Sequence, residues 1–437
     1  MHDNSADPLC PECGTQLPSA DPRFTVWCPD CDWNVDPTGT LAALTPPERA
    51  RRAKQLARQE QALERMPRDG APGQSWSASA CAALALATVV NLITIALAGT
   101  GLWLLVAGTW PQRVLGALEV ALAVVLRPRR PRVPRHTLDR AEAPALHAVI
   151  GRVAAELGSR PVDLVAVDTR FGSAYTVLGP RRRGVLILGL PLWEALSPDQ
   201  RLALIARELA RDAAPGRGST RWTAVAASSL AVWTDLFRPG KSRQARQDAL
   251  YAGAGFSATG PRTDGTANGL VAVVEMITWP LLAALAYVTD RAHRLLVGLC
   301  FHTDTQSAYR ADALAAKAAS TKSAEGMVRC LLLAETAVFA MERFARTTGD
   351  VWQELRTYLS TVPETEHARR LRLSERQGGA IADGGLPSIH LRLRLIRQLP
   401  HAKPTVTLSP DEPTTMDAEL APVRDALAEE LRTYYGR

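Results

Sequence analysis

Lysine is almost missing from this chain: of 51 basic residues five are lysine and 46 are arginine. So uniform a bias reads as a high-GC bacterial genome, and the net charge of +7 says little by itself. The basic residues bunch beside apolar stretches instead of covering one face. That pattern favours membrane flanks over a nucleic-acid surface. Histidine is scarce as well, and its eight occurrences include no His-x-x-x-His pair. This excludes the usual arrangement in which one helix offers two imidazoles to a zinc ion. Outside one N-terminal group, cysteine is limited to Cys81, Cys300 and Cys330, each in apolar surroundings. They read as buried thiols, and no disulfide framework is expected. Residues 1–40 are polar and acidic without an apolar run, so no signal peptide is expected there.

What is present begins with four cysteines. Cys10-Pro11-Glu12-Cys13 and Cys28-Pro29-Asp30-Cys31 are two Cys-x-x-Cys knuckles with fourteen residues between them. Each knuckle aims two thiolates at one point, and two together complete a tetrahedral zinc site. So small a segment has little core of its own, and metal binding would supply its folding free energy. Between residues 5 and 36, Asp7, Glu12, Asp21, Asp30, Asp32 and Asp36 face a single cation, Arg23. Phosphate binding needs the opposite field, so a structural or protein-contacting ribbon is expected, with Phe24, Trp27 and Trp33 as its packing aromatics. Residues 41–77 read as a charged helical linker, with seven basic and four acidic residues from Pro47 to Asp69.

Residues 78–127 are almost continuously apolar, about the length of two membrane spans with a turn at Gly108–Arg113. Glu119 in the second span is costly in lipid unless it faces protein or water. Both flanks are basic, the helix before Ala78 and the Arg127-Pro128-Arg129-Arg130-Pro131-Arg132 run after Leu126. The positive-inside rule then predicts a multi-pass cell-membrane protein with the ribbon and the large domain on the cytoplasmic side. Further apolar segments at 222–234 and 268–289 either cross as a pair or stay near the surface.

After Arg135 the pattern becomes α+β, mainly α. LDRAEAPALHAVIGRVAAELG reads as an amphipathic helix stopped by Gly158. Residues 162–171 and 184–193 read as strands joined through Gly179–Arg183. Ser197-Pro198-Asp199-Gln200 is a helix start with Pro at N1 and Gln at N3. It leads into Leu202, Ile205, Arg207, Glu208, Leu209 and Arg211. Residues 401–437 read as a tail with a short helix.

By itself Arg207-Glu208-Leu209-Ala210-Arg211 is a solvated helix face. The order of the surrounding elements, an apolar hairpin, an amphipathic helix, a β-hairpin over 162–193 and then LSPDQRLALIARELARD, resembles the HtpX-type integral-membrane zinc metallopeptidases of metallopeptidase family forty-eight. The resemblance covers roughly residues 80–400 and implies a zincin-like domain over 128–400. It also implies that Arg207 and Arg211 stand at the two histidine-ligand positions and Glu208 at the general base. Ala308 then stands at the third, glutamate ligand and Asp312 beside it, while Leu386 stands where the family has a further histidine. Guanidinium has no free lone pair and stays protonated, so neither arginine can ligate a cation. A catalytic zinc is therefore not expected, and the resemblance implies a pseudopeptidase. Its role would be binding or regulation in membrane-protein quality control, with membrane proteins or peptides as partners and no nucleic acid. The arginines would take the vacated cation position, paired with Glu208 and Asp312. The alternative is an active membrane metalloendopeptidase with a non-standard metal site built from Glu208, Asp212, Asp304 and Asp312. A third possibility makes the ribbon the functional module and the rest its platform.

Overall fold

A computed structural model describes residues 9–17, 21–66, 78–127, 135–178, 183–213, 217–237, 265–347, 349–377 and 386–436. The side chains of residues 212, 217–221, 265–279, 281, 302 and 303 lie outside that description. In chain order the elements are α1 (Pro46–Glu64), α2 (Ala78–Ala107), α3 (Trp110–Leu126), β1 (His136–Leu138), α4 (Pro144–Leu157), β2 (Leu164–Asp168), β3 (Ser173–Leu178), β4 (Arg183–Gly189) and α5 (Leu190–Ala195). They continue as α6 (Pro198–Ala213), α7 (Arg217–Phe237), α8 (Gly265–Ala319), α9 (Thr321–Cys330), α10 (Ala334–Ala345), α11 (Val351–Ser360), α12 (Glu364–Gln377), α13 (Ile389–Gln398) and α14 (Glu412–Tyr435). The fold is mainly helical with one small sheet.

The chain divides into two compact units. One, the body, comprises residues 1–74, 132–215 and 304–437; the other comprises 75–131 and 216–303. The second unit is built on α2 and α3. They approach closely because Gly116 and Gly101 carry no Cβ: one added at Gly116 would stand 2.6 Å from the Gly101 carbonyl. Small residues at such a crossing let the two helix backbones approach and pack closely. Glu119 faces its partner helix and accepts a hydrogen bond from Thr100 Oγ1 at 2.9 Å. The turn is closed by Thr109, whose backbone and hydroxyl are both met by Gln112 Oε1 at 2.7 and 2.9 Å.

Among the described residues α2 is the one helix long and apolar enough to cross a membrane. α3, at 17 residues, stands at the short end of the range of about 17–25 that a bilayer core asks for. The segment 222–234 lies in α7, which packs on the hairpin. Trp222 Nε1 donates to Thr88 Oγ1 at 3.0 Å, Asn91 Nδ2 to the Trp222 carbonyl at 3.1 Å and Trp233 Nε1 to the Leu126 carbonyl at 2.9 Å. The segment 268–289 lies in α8. Cys81, expected to be buried, is exposed on α2, whereas Cys330 is buried in the body. A helix apolar all round gives a thiol no dry face of its own.

In the body the sheet order is β1-β2-β4-β3. This corrects the expected strand pair. β2 and β4 are parallel neighbours, Leu164 opposite Val185 through Asp168 opposite Gly189. β3 pairs antiparallel with β4 at one edge of the sheet, and β1 pairs antiparallel with β2 at the other. Residues 190–195, expected to continue the strand, are helical, with Pro191 in the first turn. Gly189 allows the crossover: its amide donates to the Gly172 carbonyl at 2.8 Å, and a Cβ there would collide with the carbonyls of Arg170 and Gly172. Val165, Val167, Leu186 and Leu188 on one sheet face join α4, α6, the end of α8 and α9 to α11 in one core. α4 stops at Gly158, left-handed at φ 59°, as its sequence anticipates.

Two ends of the chain differ from expectation. α14 is a full-length helix of 24 residues whose Met416, Leu420, Leu427 and Leu431 are core residues. Its Glu419 accepts the free amides of Ala145 and Leu146 at the start of α4, at 2.7 and 2.9 Å. The helix within the linker, α1, is docked instead of solvated, with Gln59, Ala62 and Leu63 buried.

Candidate functional site: a buried ion cluster and a cysteine knuckle pair

α6 owes its start to Ser197, whose backbone amide donates to Gln200 Oε1 at 3.0 Å. Leu202, Ile205 and Leu209 are fully buried, and that stripe sets the helix rotation. The same rotation carries Arg207 and Glu208 inward, with side chains 5% and 1% exposed, and leaves Arg211 36% exposed at the rim. Arg207 bridges two carboxylates. Its Nη1 donates to Glu208 Oε1 at 2.6 Å and its Nε to Asp312 Oδ1 at 3.0 Å. Asp312, from α8, is fully buried. It also takes a two-pronged contact from Arg392 on α13, Nε to Oδ2 at 2.7 Å and Nη2 to Oδ1 at 2.8 Å. Glu208 Oε1 further accepts the Ser173 hydroxyl at 3.1 Å, and Glu208 Oε2 stands 4.0 Å from Arg211 Nη1. The result is a closed set of two carboxylates and two buried guanidinium groups, with a third guanidinium at its rim. One donor, Arg207 Nη2, is buried without a hydrogen-bond partner among the described residues.

The titration directions follow from this geometry. Burial alone would make the Arg207 proton easier to lose, but Glu208 and Asp312 outweigh it and hold the charge more firmly than usual. Arg392 has one carboxylate where Arg207 has two, and faces Arg207 as well. Burial and that repulsion win, so its proton is held less firmly than usual. Burial likewise opposes the Asp312 carboxylate, yet Arg392 and Arg207 overcome it and hold its pKa below the ordinary value. Asp304 shows the opposite balance. Burial raises it, and Arg211 offsets only part of the effect.

The structure thus brings together Arg207, Arg211, Glu208 and Asp312. Ala308, the position implied for a third ligand, is fully buried one turn before Asp312. It offers no donor atom. Leu386 is elsewhere engaged, its carbonyl accepting Gln59 Nε2 at 3.2 Å. The side chains of Asp212 and His302 lie outside the described residues. Arg392 was missed from the sequence. It stands in His390-Leu391-Arg392-Leu393-Arg394-Leu395, where Leu391, Leu393 and Leu395 look like the buried positions and Arg392 like the exposed one. A helical reading of that run would have caught it, since residues 391–393, 395 and 396 are all buried.

The four N-terminal cysteines do converge. Their sulfurs lie within 4.8 Å of one another, with Cys10 and Cys31 at 3.6 Å and Cys13 and Cys28 at 3.5 Å. Four thiolates round one zinc at a Zn–S distance near 2.3 Å stand about 3.8 Å apart, so the donor set fits such an ion. Among the described residues no other group of three or more Cys, His, Asp or Glu side chains could hold a metal.

The knuckles repeat each other in backbone detail. Gly14 N donates to Cys10 O and Asp32 N to Cys28 O, while Cys10 N and Cys28 N donate to Thr15 O and Trp33 O. Gly14 and Asp32 therefore hold equivalent left-handed positions, φ 72° and 60°. Hydrogen bonding with Thr15 brings the Cys13 thiol down to about 6. The ribbon is fastened to the body. Trp27 Nε1 donates to the Thr365 carbonyl at 3.0 Å, Arg369 Nη1 to the Val35 carbonyl at 2.8 Å and Arg372 Nε to Asp32 Oδ1 at 2.9 Å. Phe24 packs on Tyr358 at 6.3 Å between ring centres.

Comparison with known proteins returns no matching family model, no similar curated protein and no similar solved structure.

Proposed function

We propose that this chain is a membrane-anchored, metallopeptidase-like protein of HtpX type that has exchanged its catalytic zinc for an internal ion cluster. It serves as a pseudopeptidase, binding or regulating membrane proteins instead of cleaving them, in membrane-protein quality control. The observation that carries this reading is Arg207, which fills with its own charge the space between Glu208 and Asp312. Any added cation there would meet the Arg207, Arg211 and Arg392 charges at short range. Glu208 Oε1 is engaged by Arg207 and by Ser173, with Arg211 at the rim beside Oε2, so the carboxylate is held as an ion-pair partner. β3, the sheet edge whose Ser173 touches Glu208, is the element on which an extended peptide could add as a further strand.

Cys10, Cys13, Cys28 and Cys31 would hold a structural zinc that fastens the ribbon to α12. The α2–α3 hairpin, with both ends cytoplasmic, would anchor the chain as a multi-pass protein. Two metal measurements test the reading. Purified protein should carry one zinc per chain, lost in Cys10→Ser/Cys13→Ser; stoichiometric zinc remaining in that variant would sink it. Conversely, Arg207→His/Arg211→His/Ala308→Glu should gain a second zinc, and failure of that variant, folded, to bind metal would remove the peptidase resemblance.

A further inference from the structure

Helix α1 presents two faces with different surroundings. Its inner face is fixed. Gln59 Nε2 donates to the Leu386 carbonyl, Gln59 Oε1 accepts the Ser388 amide and the Gln59 carbonyl accepts the Tyr309 hydroxyl, each at 3.2 Å. Its exposed surface carries Arg49, Arg51, Lys54 and Arg58, followed by Arg65 just past its end, while Arg52 is half-buried on the side of Gln59. Among the described residues none of these six is within ion-pair distance of a carboxylate. Surface helices ordinarily balance such a row with acids three or four residues away. Of the acids on α1, Glu48 is committed to capping, accepting the Thr45 amide at 2.8 Å and its hydroxyl at 2.7 Å.

Beneath Arg49 and Arg52 lies a groove of about 490 Å³, floored by Leu44 and Leu56 and closed on its far side by Arg376. Its two carboxylates are Asp36, which accepts from the Thr40 hydroxyl and the Leu41 amide, and Asp32, which accepts from Arg372. The Asp36 charge meets only neutral donors, so the groove carries both signs, and the exposed basic row of α1 is the part that an anion fits. Thirteen residues of sequence separate Glu64, the end of α1, from Ala78, the start of the membrane-type helix.

We propose that the exposed basic row of α1 docks acidic phospholipid headgroups of the membrane that α2 enters. The inference rests on α2 lying in a bilayer, but not on the fate of the peptidase site. Each cation near an anionic surface contributes roughly fivefold in affinity, and added salt screens it.

The test uses the full chain in detergent, mixed with phosphatidylglycerol or phosphatidylcholine and read by native mass spectrometry. Wild type should retain phosphatidylglycerol over phosphatidylcholine. Arg49→Gln/Arg51→Gln/Lys54→Gln/Arg58→Gln should lose on the order of a hundredfold in phosphatidylglycerol retention, with an unchanged circular dichroism spectrum. Equal retention of the two lipids by wild type would overturn the proposal, as would undiminished retention in the variant. Displacement of the lipid by millimolar inorganic phosphate would reassign the face to a free anion and overturn it too. Release of wild-type protein from membranes by carbonate would refute the membrane anchor instead, which separates the two failures.

Discussion

Two places in this chain gather polar atoms round a point, and they close the charge balance in opposite ways. At the knuckles four sulfurs converge with no cation of their own, so the site asks for one from outside. At α6 two carboxylates converge with guanidinium groups supplied by Arg207 and Arg392, so the site is complete as folded. The difference teaches where the folding free energy of each region comes from. The ribbon would take it from metal coordination, because it has little core of its own. The ion cluster takes little from its charges, because desolvation offsets much of their attraction. It stands on the surrounding core and is costly only when broken.

The largest test of that contrast is removal of the ribbon's ligands. Cys10→Ser/Cys13→Ser should release the metal and unfold residues 9–35, a loss on the order of 10 kcal/mol of coordination free energy. Trp27 and Trp33 fluorescence and zinc stoichiometry report it, and a ribbon that keeps its native emission without metal would break the comparison. Next is Asp312→Asn, which leaves Arg207 and Arg392 buried and facing each other. We expect about 3–5 kcal/mol of destabilisation in chemical denaturation. An apolar replacement of the whole set, Arg207→Met/Asp312→Leu/Arg392→Met, should cost much less. Equal losses in the two variants would mean the cluster contributes net attraction.

A pH series sharpens the same point. The Asp312 carboxylate is held below its ordinary value of 3.8, so its contribution is present above that value and is lost as pH falls through its folded range. His367 on α12 is pushed down by burial and by Arg329, with Arg370 adding to the effect and Glu364 and Glu366 opposing it. Its neutral form is the one the fold accepts. Stability should therefore be full above the ordinary imidazole value of 6.5 and decline as pH falls below it. His390 is pushed down by burial as well, so His367→Asn should lessen the decline below 6.5 and leave the His390 share and any loss below 3.8 intact; an unchanged profile in that variant would refute the assignment. The smallest effect is expected at Asp32. Asp32→Gly relieves a positive φ but releases Arg372, so the net change should stay within about 1 kcal/mol. Arg372→Gln loses the tether without the relief and should be the worse of the two in ribbon proteolysis.

Much of the local structure was legible. Ser197–Gln200 announced the start of α6 and Gly158 the end of α4, because caps act over three or four residues. The knuckle spacing announced the convergence of four sulfurs for the same reason. Legibility fell where partners are distant. Arg392 meets Asp312 across 80 residues and Gln59 meets Ser388 across 329. β3 was overlooked because its residues are all half-buried and show no alternation, as befits a sheet edge.

By itself the sequence determined that Arg207, Arg211, Ala308 and Leu386 cannot build a zinc site, since no fold gives a guanidinium or a methyl group a free lone pair. It also determined that four cysteines can build one. Only the tertiary structure decided what Arg207 does instead. A buried guanidinium must find carboxylates wherever packing brings them, and packing brought Asp312 and Arg392 from two other helices.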